Sequence, residues 1–498
     1  QQEEKTLSLS LEDCIVKAMK NNLGVAIEVL NPELSDIAIT QSKEIFLPAL
    51  SLSYNTRDTV QASFSFLESE SEVASLRNSW STEISQLIPT GGNFSISLDG
   101  YKNETNQSFQ TINPRYGSTL TFSFSQPLLR NFGIKTTRRN IIIARNNLEI
   151  SETQLKRSLQ QTVYDVEFAY WALVGYIENL KVRQLSLKLA QDLLEKNKRS
   201  VEIGTIAPIE ILSAQSAVAS READIIEAET QVKDSEDSLR ILLNLGAEGI
   251  EEDLKIIPTD TPNYERYEVT FEEALQTAME NRPDLNGTRI GLKNREINLK
   301  YAKNQLLPTL NLTASYWSPG ISGTQIIFDP TNPFAPPIGS VEHGPGEALA
   351  DAFGFTYQNW TLGFTLDIPL DTVFSRANYA QARVNLEQSQ LMLEDQEQQI
   401  YLEVKSAVRA VQANYERVQA YKAARELAEE TLAAEEEKLR VGISTPYFVL
   451  QYQTELTTAQ TNELRAIVDY NISLSGLERA IGMSLEMKYM YFSEFTEK

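Results

Sequence analysis

The chain has one cysteine and one histidine in 498 residues. A lone Cys14 excludes an internal disulfide and any cysteine-rich zinc site. A lone His343 leaves histidine-based metal binding or nucleophile activation without the partners it needs. No apolar run reaches the 18 residues of a membrane-spanning helix, so none is expected. Positive charge is also short: 45 Lys and Arg against 68 Asp and Glu give a net charge of −23, the wrong sign for phosphate binding by nucleic-acid readers. Neither a G-x-S-x-G elbow, nor H-E-x-x-H, nor a phosphate-cradling Gly-rich loop with lysine occurs. No enzymatic activity, cofactor or metal is therefore expected, and acidic runs such as Glu435-Glu436-Glu437 read as solvated helix faces. The start, Gln1-Gln2-Glu3-Glu4-Lys5, lacks the basic and apolar parts of a signal peptide. That fits either a cytosolic protein or a mature form whose signal has been removed.

What the chain does have is repetition. Leu47-Pro48-Ala49-Leu50 returns 260 positions later as Leu307-Pro308-Thr309-Leu310, and Ser10–Asn21 returns at the same offset as Thr270–Asn281. Ala144–Glu149 matches Ala382–Glu387 at an offset of 238, as Gly204, Pro208, Leu212 and Gln215 match Gly442, Pro446, Leu450 and Gln453. One structural unit is used twice, over 1–245 and 269–498, with 246–268 as linker. The fall in offset places the variable material at about 50–127 and 310–369.

Within those stretches the hydrophobic period is two. Leu50, Leu52 and Tyr54 alternate with serine and asparagine; Ala62, Phe64 and Phe66 with serine; Phe94, Ile96 and Leu98 with serine and aspartate; Leu120, Phe122 and Phe124 with threonine and serine. In the second copy Leu310, Leu312, Ala314 and Tyr316 alternate with polar residues, as do Trp360, Leu362, Phe364, Leu366 and Ile368. Such segments are strands wet on one face, here 49–127 and 309–369. A soluble sandwich and a membrane barrel both alternate this way, but a barrel adds aromatics near the segment ends, and Trp80, Trp317 and Trp360 fall there. Residues 67–78, 102–115 and 318–353 read as long loops.

The rest is helix: short amphipathic helices at 9–22 and 34–46, broken by Asn31-Pro32, and then helical hairpins at 134–245 and 375–483. Leu159, Val166, Leu173, Leu180, Leu187, Leu194 and Val201 recur every seven residues, as do Val404, Val411 and Val418, which specifies coiled-coil packing. About 65 residues at 1.5 Å each give a rod roughly 100 Å long. The breaks at Gly204–Pro208 and Gly442–Pro446 have glycine ending one helix and proline opening the next. Four to six lipid-facing strands cannot alone enclose water, and an open sheet in lipid leaves backbone groups unsatisfied. Several chains must therefore share one barrel.

The paired Leu-Pro-x-Leu strand entries, Gln126-Pro127-Leu128-Leu129 and Ile368-Pro369-Leu370 before the helices, the Ala-Arg-x-Asn-Leu-Glu helix starts, and Ile203-Gly204 with Val441-Gly442 at the turns occur in order across the whole chain. Together they make it resemble the TolC-like outer-membrane efflux family. The resemblance implies an α+β membrane protein: a homotrimer whose β-barrel, about four strands per chain, continues into a periplasmic helical tunnel. It implies a passive exit duct of tripartite efflux or type I secretion in the outer membrane of Gram-negative cells. Its partners would be a periplasmic adaptor, an inner-membrane transporter and outer-membrane lipid. A pair of segments around Pro89-Thr90-Gly91-Gly92 departs from the family count and reads either as one bent hairpin or as two more strands, six per chain. By resemblance the docking tips are Ile203, Gly204, Thr205, Pro208, Val441, Gly442, Thr445 and Pro446. The aperture positions are Glu210, Phe448 and Gln451; since only Glu210 is acidic, an acidic ring formed by the second copy is not expected. The lipid-facing barrel residues are Phe94, Phe122, Phe124, Trp360 and Phe364. Gly-x-x-x-Pro alone is an ordinary helix connection, and Arg130, Arg138 and Arg139 are ordinary solvated charges at a helix start. Tyr164, Tyr170, Trp171 and Tyr176 read as packing between helices. The competing reading is a non-conducting structural or adhesive coiled-coil envelope protein with a β-head.

Overall fold

The structure, a computed structural model, describes residues 6–64, 71–245, 255–331 and 336–488. In chain order it runs β1 (Thr6–Leu9), α1 (Leu11–Asn21), α2 (Leu23–Lys43), β2 (Ala49–Ala62), β3 (Glu72–Leu87), β4 (Asn93–Thr105), β5 (Ile112–Pro127) and α3 (Ile134–Thr137). It continues through α4 (Arg139–Glu202), α5 (Ile209–Leu243), β6 (Lys255–Pro258), α6 (Phe271–Asn281), α7 (Pro283–Asn304) and β7 (Thr309–Ile327). Last come β8 (Gly339–Val341), α8 (Pro345–Gly354), β9 (Asn359–Asp367), α9 (Val373–Arg440) and α10 (Pro446–Ile481). Two compact units result, and neither coincides with a sequence half. One takes the described residues of Gln1–Ser35, Asn147–Gly291 and Gln390–Lys498, the other Asp36–Asn146 and Leu292–Ser389.

The first unit is helical. α1 and α6, each 11 residues long, start with the same device: Ser10 caps the Asp13 amide and Thr270 caps the Glu273 amide, with the acidic side chain reaching back in both. Such a capping box satisfies two amide groups that a helix start otherwise leaves open. Heptad positions point inward. Leu159, Val166 and Leu173 of α4 are fully buried with Leu239 of α5 and with Cys14 and Ala18 of α1. Val404 and Val411 of α9, Leu477 of α10 and Ala278 of α6 make a second core. Tyr170 is wholly buried, and its ring meets Trp171 edge-on at 5.4 Å. Its hydroxyl donates to Asp260 Oδ2 at 2.8 Å and accepts from the Asp260 amide at 3.1 Å. Tyr176, expected to pack similarly, stays 39% exposed.

One expectation is corrected here. Asn31-Pro32 does not break the helix: α2 runs through with Pro32 inside it. The ring removes one N–H, but the neighbouring turns are held by side chains, Asn31 Nδ2 donating to Glu28 Oε2 at 2.8 Å and Ser35 Oγ to the Asn31 carbonyl at 2.9 Å. Within the expected linker at 246–268, part of the chain is regular. Lys255–Pro258 forms β6, which pairs in parallel with β1; residues 246–254 lie outside the described residues.

The second unit is a sheet. Its order is β2-β3-β4-β5-β7-β8, with β9 also paired to β7, and every pairing is antiparallel. Among the described residues, this gives six long strands and the three-residue β8, rather than about four. The hairpin at Pro89–Gly92 joins two full strands, β3 and β4, paired from Leu87↔Asn93 to Ser75↔Thr105. Most of the expected loops shorten accordingly: 72–78 belongs to β3, 102–105 to β4, 112–115 to β5 and 318–327 to β7. In those stretches apolar residues such as Val73, Leu76 and Ile321 no longer alternate regularly with polar ones, while the backbone ladder continues. The last expected loop also holds α8, and the alternation through Ser65 and Phe66 lies outside the described residues.

Candidate functional site

Register turns the alternating residues into two surfaces. The cross-strand row from Leu50 passes through Ile84, Ile96, Phe122 and Tyr316 to Trp360, an apolar residue on all six strands. One residue along, the row is Ala49, Ser85, Ser95, Ser123, Ser315 and Thr361. Because successive side chains point to opposite faces, one face is an apolar band and the other a serine and threonine surface. Phe94, Phe124 and Phe364 share the parity of the apolar face. Much of that face is uncovered: Leu52 is 72%, Phe364 67% and Trp360 74% exposed. Leu120 on the same face is buried, and Phe122 and Phe124 are half-buried, Phe122 stacking with Phe355 at 6.4 Å. Trp80 lies on the apolar face, its indole over Gly100, where any Cβ would come within 2.5 Å of the ring. Trp317 does not join it. It neighbours Tyr316 in the strand and pairs with Thr121 and Asn359 on the polar face, so strand parity removes it from an aromatic belt.

At its upper end the apolar face carries α8. Ser318 is completely buried, with its hydroxyl donating to the Asp351 carbonyl at 3.4 Å, and Ser322 Oγ donates to the Gly344 carbonyl at 2.8 Å. A Cβ on Gly320 would sit 2.0 Å from the Ala348 carbonyl oxygen, so only glycine admits the helix this close. Among the described residues, the two outer long strands, β2 and β9, each have a single partner, β3 and β7 respectively.

The hairpin tips have matching backbones. Gly204 and Gly442 both sit at φ +80°, with nothing within 4 Å of a built Cβ. Glycine is needed for the left-handed conformation, not for space. The Thr205 amide closes on the Ser200 carbonyl at 2.9 Å and the Ile443 amide on Lys438 at 3.0 Å. Pro446 opens α10 in its first turn behind Thr445, whereas Pro208 stands just before α5. The tips expose apolar side chains, Ile203 at 77%, Ile443 at 75% and Val441 at 57%. Their chemistry differs after the glycine. Ser444 hydrogen-bonds the carboxylate of Glu435, whose other oxygen accepts from Lys438 Nζ at 2.9 Å, and these contacts hold Glu435 below the usual carboxylate range. The first tip instead uses Thr205 Oγ1 to the Ser200 carbonyl, at 2.9 Å.

Of the positions expected at an aperture, Phe448 is 45% exposed with Tyr447 edge-on at 5.7 Å, and Gln451 donates to Glu455 at 3.0 Å. Glu210 is half-buried, and its Oε2 makes no hydrogen bond among the described residues. The structure does not gather these three into one cluster with named contacts.

Three polar groupings escaped the sequence reading. Arg221, buried in α5, donates to the Ser186 carbonyl at 2.8 Å and to Gln453 Oε1 at 3.1 Å, while Thr457 donates to Ser186 Oγ at 2.9 Å. This network joins the two hairpins. A charged residue, Arg221, inside a long amphipathic helical stretch was the signal for it. Arg282 forks onto Asp284 at 3.0 and 2.6 Å, both nearly buried. Lys488 lies 2.8 Å from the buried Glu167 and 3.6 Å from Glu478; burial pushes Glu478 up to about 7, with the lysine opposing and Glu167 adding to the rise. Burial likewise pushes the Cys14 thiol up to about 12, away from thiolate reactivity. Arg130 donates to Gln305 at 2.8 Å and Arg139 stacks 3.8 Å over Tyr301, so these charges do pack locally. No helix among the described residues is long and apolar enough to cross a membrane.

Comparison with known proteins agrees with this arrangement. Nodulation protein T of Rhizobium leguminosarum bv. trifolii is 22% identical over 390 residues, covering 78% of this chain and 76% of that protein. Outer membrane protein TolC of Vibrio cholerae is 22% identical over 382 residues, covering 76% of this chain and 80% of its own. Among solved structures, a membrane protein from Pseudomonas aeruginosa superposes with a TM-score of 0.67 at 16% identity, over 95% of this chain and 90% of that one. That likeness speaks for the fold. The outer membrane efflux protein family matches twice, over residues 15–245 and 274–483, and the chain belongs to that family.

Proposed function

We propose that this protein is a passive exit duct of the Gram-negative outer membrane, closed by three copies of the chain. It would serve a tripartite efflux or type I secretion system. The observation that carries the reading is the pair of adjacent rows, one apolar on all six strands and the next small or polar on all six. A sheet dry on one face and wet on the other is what a water-filled barrel in lipid requires. Its two single-partnered outer strands must then pair with other copies, because lipid offers no water to unsatisfied backbone groups. Helices of 64 and 68 residues on the same chain supply a periplasmic conduit roughly 100 Å long at 1.5 Å per residue. The tips, with exposed Ile203, Val441 and Ile443, are the docking surface for a periplasmic adaptor and, through it, an inner-membrane transporter. Glu210, Phe448 and Gln451 follow those tips and border the periplasmic aperture. Energy comes from the inner-membrane partner, since the chain has no nucleotide-binding or catalytic motif.

The test is conductance of the purified protein in planar bilayers, combined with its mass in detergent. Discrete ion-conducting steps from a detergent-dependent trimer are expected. A monomer soluble without detergent, or a trimer that inserts but never conducts, would sink the duct in favour of a structural coiled-coil protein.

A further inference from the structure

We infer that the barrel is built from eighteen strands, six from each of three copies, with β9 of one copy paired to β2 of the next. The inference rests on the trimeric-duct reading and concerns how wide that duct is where it crosses the membrane. The resemblance to the family implies four strands per chain and twelve in all, so the hairpin of β3 and β4 is the point at issue.

Three observations place β3 and β4 in the barrel wall. First, they lie between β2 and β5 in the sheet, hydrogen-bonded on both sides, with no break in register from Ser75↔Thr105 to Leu87↔Asn93. They cannot be an appendage while β2 remains in the wall. Second, they carry the two-faced pattern: Ile84 and Ile96 continue the apolar row, and Ser85 and Ser95 the polar row. Third, strand direction alternates along β2, β3, β4, β5, β7 and β9, so the two outer strands run opposite ways. An even number of strands per copy lets β9 meet the next β2 antiparallel, and closure then leaves no edge in lipid.

The stagger of the sheet agrees with closure. The row that begins at Ala49, the first residue of β2, reaches β9 at Thr361, six residues before its end at Asp367. Six residues over five interfaces, at about 3.3 Å rise and 4.8 Å strand spacing, correspond to a tilt of about 40°. Outer-membrane barrels tilt by roughly 35–45°. With that tilt, eighteen strands close at a backbone diameter of about 36 Å and twelve at about 24 Å. The wider ring leaves an aqueous lumen after side chains are added, as in barrels of 16–18 strands.

The experiment places Thr361→Cys in a Cys14→Ser background. It is paired in turn with cysteine at Ser53, Asn55, Arg57, Thr59 or Gln61 of β2, or at Ser97 or Asp99 of β4. Disulfide formation is read on the assembled protein in nanodiscs, and the ring is imaged end-on. Expected is a link between copies at a β2 position near Arg57, none at β4, a cross-linked series ending at the trimer, and a ring about 36 Å across. A trimer whose Thr361→Cys links to β4, or whose ring measures about 24 Å, overturns the eighteen-strand wall and leaves the duct standing. If no disulfide forms in a trimer, the ring diameter decides between the two. A monomer without links between copies overturns both readings.

Discussion

At the scale of single residues, backbone conformation and burial set what each side chain tolerates. Gly204 and Gly442 adopt φ +80° in open space. Replacing either with alanine should cost about 1 kcal/mol through left-handed strain, while asparagine should be nearly neutral. Thermal unfolding of the four variants checks this; equal melting temperatures for Gly442→Ala and Gly442→Asn would contradict it. Removing the Tyr170 hydroxyl leaves the half-buried Asp260 amide without its acceptor, so Tyr170→Phe should lose about 1–3 kcal/mol in denaturant unfolding. Glu478 gives a pH dependence. Its carboxyl is raised in the folded protein from an ordinary 4.5 to about 7, so the folded state holds the proton more tightly than the unfolded chain. Its favourable contribution is therefore complete below about 4.5 and is lost as pH rises toward and past 7. Melting temperatures of wild type and Glu478→Gln should diverge in the variant's favour between pH 5 and pH 8. A constant difference across that range would show that Glu478 does not titrate there. The sequence marked the tip glycines through their repetition, but not Glu478, because its environment joins Lys488, beyond the end of α10, to Glu167, which is remote in the chain.

Elements show where periodicity stops being informative. The heptads of α4 and α9 were legible because one hydrophobic face packs over many turns, and Leu159, Val166, Val404 and Val411 are indeed buried. Helix α2 was misread because a proline is a local signal and the hydrogen bonds around it are not visible in a pattern of apolar residues. The outer halves of the strands were misread as loops for a related reason: the pairing Arg57↔Arg77 and its neighbours persist through backbone hydrogen bonds after the regular alternation has ended. Helix α8 was missed because its contacts with the sheet depend on small residues, Ser318, Gly320 and Ser322, spaced by strand parity. Gly320→Val should displace α8 while leaving the β5–β7 ladder intact. Hydrogen exchange should then rise over Pro345–Gly354 with Leu120–Phe124 still protected; protection retained in α8 would refute the packing argument. Between the hairpins, Arg221→Met should weaken the network to Ser186 and Gln453, and proteolysis near residues 186 and 453 would report it.

For the whole molecule, the two faces of one sheet make opposite predictions. Ile96→Arg and Ser97→Arg are adjacent in β4, but only the first puts a charge on the apolar row. A charge on the lipid side costs about 2–4 kcal/mol at mid-membrane depth, so Ile96→Arg should reduce trimer yield sharply and Ser97→Arg should not. Equal yields would count against the apolar face as the lipid face. Composition alone excluded an internal disulfide, because the chain has one cysteine, and spoke against histidine chemistry and nucleic-acid binding through its single histidine and negative charge. Its repeats, its period of two and its period of seven determined that strands and long helices occur twice, and in what order, because periodicity follows from local geometry. Only the tertiary structure decided that six long strands join one sheet, that Trp317 faces away from the apolar band, and which buried charges meet. Those outcomes depend on register and on contacts between segments hundreds of residues apart, and neither is encoded in any local pattern.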